Sequence, residues 1–218
     1  MSEQLEKTDR TSISRHDERA SYDRETANAI LDESLVAHVG FDTGSGVTVV
    51  PMTYARMGEA LILHGAVASR WLSSFREGRD ICVTVTLLDG LVLARSAFSH
   101  SMNYRSVVAF GTATLITDPE EKQAAFKAFL DHLLPGRWDD SRQPDRKEAN
   151  ATTVLRMPIS EASIKIRSGP PADSEKDMGL DYWAGVIPLA VAAGEPEPDP
   201  AMVDGPTTPA YTRDYRRG

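Results

Sequence analysis

The chain has 218 residues, 41% of them hydrophobic, with 24 Lys and Arg against 32 Asp and Glu. The formal charge of −8 disfavours broad binding to nucleic-acid backbones or anionic membranes, but it leaves room for a local basic pocket. A single cysteine, Cys82, excludes an internal disulfide and a cysteine-rich zinc site.

Residues 1–24 are polar and mixed in charge, with too little apolar surface to offset ordering entropy. They are expected to form a flexible N-terminal arm, and they do not resemble a signal peptide. The body is expected over 25–192. It opens with a helix from Thr26, read as the N-cap, to Leu35, with Ile30 and Leu31 at helical spacing. Strands follow over 35–41 and 47–57 around the turn cluster 42–46, and Gly58-Glu59 closes a hairpin into 60–65. After a short helix come strands over 80–90 and 91–98, joined by the hairpin signal Asp89-Gly90, and a strand over 106–116.

The run Asp118-Pro119-Glu120-Glu121 combines an N-cap, a first-turn proline and an acidic capping partner. It starts a helix whose apolar face is Phe126, Phe129, Leu130, Leu133 and Leu134, and which Pro135-Gly136 ends. Residues 137–150 read as loop, and 152–159 and 162–168 as the last strands. From 193 to 218 five prolines mark an extended tail. Helices thus interrupt antiparallel strands without regular βαβ alternation. This predicts a mainly β fold, a small closed or split barrel with peripheral helices, and disfavours a Rossmann sheet. No apolar run approaches the ~18 residues needed to span a bilayer, so a soluble, cytoplasmic protein is expected, without a nucleic-acid or membrane partner.

Chemistry concentrates in three stretches. In LHGAVASRW (63–71), Ser69-Arg70 stands where a strand gives way to a helix. It is either a plain cap with a solvated arginine or an anion site built from free N–H groups, a hydroxyl and a guanidinium. His64 faces a ligand, caps a turn, or is a satisfied buried histidine. In SHSMNYRSVV (99–108), Ser99, His100, Asn103, Tyr104 and Arg105 crowd a connection between apolar strands, as a solvated loop or as contacts to a flat ligand. LDYWAGVIPL (180–189) is apolar enough to dock onto the body or onto a second subunit. Cys82 reads as a buried, inert thiol. The histidines lack HExxH or paired-ligand spacing, so no metal is expected. Walker, dinucleotide and nucleophile-elbow motifs are missing.

Taken in order, LHGAVASRW, the block 83–116 and DYWAGVIPL (181–189) resemble the pyridoxamine 5′-phosphate oxidase-like flavin-binding superfamily, and within it the nitroimidazole-resistance-type branch. The resemblance spans about residues 25–190. It implies a six-stranded antiparallel split barrel that binds FMN between the subunits of a homodimer. It also implies that Ser69 and Arg70 hold the phosphate and that Val50, Pro51, Met52 and Thr53 run along the isoalloxazine ring. Asn103, Tyr104, Arg105 and Ser106 would touch the cofactor, and Trp183 would approach it across the interface. Some relatives bind a deazaflavin or haem instead, and His64 would serve such a departure or be a polar group near the ring. Relatives that oxidise vitamin B6 carry a basic residue where this chain has Trp71, and a C-terminal arginine motif whose context Arg213, Arg216 and Arg217 lack. Three functions follow: an FMN-dependent oxidoreductase acting on a small-molecule substrate, a non-catalytic flavin-binding or redox-sensing protein, or a haem-binding split barrel. No general acid or base stands out.

Overall fold

The computed structural model describes residues 3–69, 72, 75, 78–202, 205 and 207–216. A short strand, β1 (Ala20–Ser21), precedes six that close on themselves: β2 (Val36–Asp42), β3 (Val47–Met57), β4 (Ala60–Ala66), β5 (Arg79–Leu93), β6 (Ser101–Leu115) and β7 (Thr152–Pro158). All pairings are antiparallel, and the ring runs β2-β3-β4-β7-β6-β5 and back to β2. Two joints are short. β3 meets β4 only between Tyr54–Leu63 and Met57–Ala60, and β6 meets β7 only at Thr114 and Leu115. Past the second joint, β6 is paired instead by β8 (Glu161–Arg167), which β1 extends, while β9 (Gly185–Pro188) adds to β5. The barrel is therefore split, with three strands beyond the six of the ring.

Period-2 alternation sends Val39 and Phe41 of β2, Tyr54 of β3, Leu61 and Leu63 of β4, and Val83 and Val85 of β5 into one core. Fully burying each such side chain contributes about 1.5–3 kcal/mol. Helix α1 (Arg24–Glu33) plugs this core with Ala27, Ile30 and Leu31. Its N-cap is Asp23 rather than Thr26; the Asp23 carboxylate accepts from the Thr26 N–H at 2.8 Å. Helix α2 (Pro119–Leu133) begins after Asp118, as its capping signals predict. It builds a second core on the outer wall, where Ala125 and Phe129 cover Ala55, Ile62 and Val154.

Four segments differ from the sequence-based expectation. The strands read over 80–90 and 91–98 are one strand that ends at Leu93, with a 3-10 turn at Ala97–Ser99 beyond it, and Asp89-Gly90 is a bulge rather than a hairpin turn. The glycine is needed there because a Cβ would lie 3.0 Å from the Ile187 carbonyl of β9. Second, β6 starts at Ser101, so the SMNYRS stretch is strand, not connection. Third, 137–150 contains the start of helix α3 (Arg146–Ala151), held by a capping box in which Asp145 and Glu148 each accept from the other's N–H at 2.8 Å. Fourth, the N-terminal residues lie against the barrel. Leu5 and Thr11 are buried, Glu6 bridges to Glu161, and Arg10 pairs with both Asp80 and Glu161 above the Phe110 ring. A few anchors compensate for the arm's low apolar content. Near the other end, the short helix α4 (Ala210–Arg213) is tied to the body by Tyr211, which donates to Asp140 at 2.5 Å.

Candidate functional site

The split creates an unusual edge. β3 is paired with β2 from Val47 to Thr53, but its other edge loses β4 after Tyr54. That leaves alternate residues of Val47–Thr53 with outward backbone groups that no described strand pairs. Of the four β3 residues expected along a cofactor ring, Val50 and Met52 pack inward on the main core. Pro51 and Thr53 lie on the opposite face by alternation. Beside them, the outer face of β2, β3 and β5 holds a cavity of about 410 Å³. His38, Val47, Val49, Cys82, Phe110 and Arg10 line it, and His38 is the cross-strand partner of Pro51. Val47 is 81% exposed and Val49 58%, which makes this wall apolar as well as open.

At the far side of the split, His64 stands on β4 in line with Ile62, on the face that α2 covers. Its ring meets Phe129 edge-on, with centroids 4.1 Å apart. Burial lowers its pKa below the usual histidine value, so the imidazole is held neutral. Its Nδ1 is buried, without a hydrogen-bond partner among the described residues. The next residue must be small, because a Cβ on Gly65 would collide with the Leu72 side chain. The chain then turns, the Ser69 N–H donating to the Ala66 carbonyl at 2.9 Å, and Ser69 is half-buried. Arg70 and Trp71 lie outside the described residues. Beyond them Leu72 and Phe75 are buried, Phe75 edge-on to Phe41 at 5.0 Å.

The SMNYRS residues are not brought to this split. The Arg105 guanidinium spans two carboxylates, donating to Asp89 at 2.8 and 3.0 Å and to Glu33 at 2.8 Å, with a further short contact to Glu33. Those bonds raise its pKa. Asn103 is buried, accepts from Arg167 and donates to the Gly169 carbonyl at 3.2 Å. Ser106 donates to the Lys165 carbonyl at 3.3 Å, and Tyr104 is half-buried opposite Arg167. Sequence reasoning did not foresee Glu33, Asp89 or Arg167 in this network. The one available signal was a charge inside each of two alternating strands. Trp183 is 68% exposed and lies over Gly185, so within one chain it docks on nothing large. Cys82 is half-buried, and burial pushes its thiol pKa up, as expected of an unreactive cysteine. Among the described residues no three His, Cys, Asp or Glu side chains converge on a metal-sized site, and no helix is long and apolar enough to cross a membrane.

This architecture and its sequence match a known group. The pyridoxamine 5′-phosphate oxidase family matches residues 23–166. The chain belongs to this family. Within the same fold, it is similar to the flavocytochrome Anf3 from Azotobacter vinelandii, with 42% identity and a TM-score of 0.91 over 97% of this chain and 98% of that one. It is also similar to the FAD and haem binding protein from Mycobacterium smegmatis, with 36% identity and a TM-score of 0.85 over 89% and 96% of the two chains. A candidate 5-nitroimidazole antibiotic-resistance protein from Bacteroides thetaiotaomicron shares the fold, at 22% identity and a TM-score of 0.55 over 67% and 86%. No curated protein matches the chain. The family match covers the whole ring of strands, α1 and α2, whereas the likeness to the Azotobacter vinelandii structure, over 97% of this chain, extends into both terminal segments.

Proposed function

We propose that the protein is a flavin-binding redox protein of this family. A flavin nucleotide, FMN in its smallest form, would lie with its ring along the open edge of β3 and its phosphate at the Ser69 turn. The observation that carries this reading is the edge itself: the outward backbone groups of alternate residues between Val47 and Thr53, which no described strand pairs, together with an exposed apolar wall and the turn at Ser69, with Arg70 next in sequence. A flat heterocycle with hydrogen-bonding edges and an anionic tail meets all three features. Bound flavin would supply hydride and single-electron chemistry; the chain would supply the cradle and the hydrogen bonds that tune it. In the working cycle, electrons from a reduced donor pass to a small-molecule acceptor. The exposed strip of Leu88, Leu91, Met102, Trp183 and Ile187 supports a homodimer with the flavin at the subunit interface.

A second reading adds haem, and His64 favours it. The imidazole is neutral and pinned edge-on by Phe129, and a neutral imidazole is the form in which histidine ligates a metal. Both of the more similar structures are named for flavin-haem combinations. The test is the spectrum of the purified full-length protein, followed by identification of the released flavin. Bands near the flavin positions, bleached by NADH or NADPH, support the first reading, and a Soret band supports the second. A colourless protein that takes up neither added FMN, FAD nor haemin refutes both. Arg70→Ala is expected to weaken flavin nucleotide binding on the order of ten- to a hundredfold, since a charged phosphate contact is worth about 1.5–3 kcal/mol.

A further inference from the structure

Arg167 is the one charged residue among the buried residues described, at 9% exposure, and no described carboxylate pairs with it. Its partners are all neutral. Nη1 donates to the Asn103 side-chain oxygen and to the Gly169 carbonyl at 3.3 Å, and Nη2 donates to the Pro170 carbonyl at 3.1 Å. A guanidinium has five N–H groups. The ones left over are Nε–H and the second Nη2–H, which share one edge of the planar group. That edge is the geometry that grips two oxygens of a carboxylate or phosphate at once. Nε is not among the sealed, unbonded atoms of the molecule, so the edge is reachable. The surrounding loop is shaped for the grip: Gly169 sits at φ +101°, a conformation that disfavours any side chain, and this aims two successive carbonyls at the cation.

A buried cation without a counter-charge is costly, because desolvation is uncompensated. Elsewhere the chain avoids that cost. Arg105, on the adjacent strand, has two carboxylates, and Arg95 has Asp173. We propose that Arg167, oriented by Asn103, is the seat for the oxyanion of a small ligand, a carboxylate or a phosphate, which completes the site by binding across the free Nε/Nη2 edge. The seat lies at the end of β8 and is built from β6, β8 and the 168–170 loop. It is therefore distinct from the Ser69 turn and does not depend on the flavin reading.

The test compares full-length wild type with Arg167→Lys and Asn103→Asp. Lysine keeps the charge but loses the fork. Aspartate places a carboxylate on Nη1 and neutralises the cation internally. Thermal unfolding is followed in sodium phosphate, sodium acetate and sodium chloride at matched ionic strength, and FMN affinity is read by flavin fluorescence. Phosphate or acetate, relative to chloride, should raise the wild-type midpoint; phosphate alone identifies a phosphate seat and acetate alone a carboxylate seat. The rise should vanish in both variants. A wild-type midpoint equal in all three salts overturns the proposal, as does a rise that survives in Asn103→Asp. Should Arg167→Lys fail to fold, Asn103→Asp carries the test alone. FMN binding that is intact in wild type and within about twofold in both variants leaves the flavin reading standing while placing the oxyanion elsewhere than on the flavin phosphate.

Discussion

Arg105 and Arg167 lie on adjacent strands, opposite Ile166 and Tyr104 respectively in the β6–β8 ladder. The chain treats them in opposite ways. Arg105 keeps a third of its side chain in solvent and still receives two carboxylates, Glu33 from α1 and Asp89 from the β5 bulge. Arg167 is the more buried and receives none from the described residues. The first arrangement is architectural: it ties the core helix to the bulge that β9 packs against. The second is incomplete, and it is the one a ligand can finish. Burial without compensation distinguishes a seat from a strut.

Breaking the strut should have the largest effect. Arg105→Leu removes the cation between Glu33 and Asp89 and is expected to cost about 2–3 kcal/mol, discounted from a fully buried pair because all three side chains are partly exposed. A denaturant titration should show a lower midpoint with an unchanged slope. Asn103→Ala removes one acceptor from the buried cation and one donor from Gly169, which should cost about 1.5–2 kcal/mol, a loss that added phosphate or acetate should not repair. Asp89→Asn keeps the shape of the strut and one of its carboxylates, so about 1 kcal/mol is expected, shrinking with added salt where the Asn103→Ala loss does not.

Acid provides a finer probe of the same contrast. Burial lowers the His64 pKa, so the unfolded chain takes up a proton before the folded one does. The stability tied to this group is complete above the ordinary histidine value and is lost as pH falls toward the depressed one. His64→Gln should flatten that limb of a stability–pH curve, and an identical slope in both proteins would remove His64 from the account. Asp173 lies at lower pH. Burial would raise its pKa, but the N–H groups of Arg95 and Ser96 and the Arg95 guanidinium outweigh this and hold it down. Its stability is present at neutral pH and disappears as pH drops through the carboxylate range, a loss that Asp173→Asn should blunt.

Much of the fold was legible because it rests on short-range rules. Alternation placed β3, β4, β7 and β8 to within a residue or two, and Asp118-Pro119 fixed the start of α2. The reading failed where a distant partner decides. Asp89-Gly90 carries a hairpin signal, yet β6 and β9 flank it and hold β5 straight through the bulge. The SMNYRS stretch is polar enough for a loop, yet Glu33, Asp89 and Arg167 satisfy its polar groups and let β6 begin early. The candidate site divides in the same way. His64 and Ser69 come to one split, whereas Asn103 and Arg105 are drawn into ion-pair and amide networks away from it.

The sequence by itself determined the β-rich barrel, the capped helix and the family resemblance, since periodicity, caps and local motif order are properties of neighbours along the chain. Only the tertiary structure decided which polar residues were already spent. Whether a guanidinium is a strut or a seat depends on carboxylates that lie 16 and 72 residues away for Arg105, and on the absence of any such partner for Arg167 among the described residues. Desolvation acts on the folded surroundings, not on sequence distance, and so the incomplete charge at the end of β8 became visible only in three dimensions.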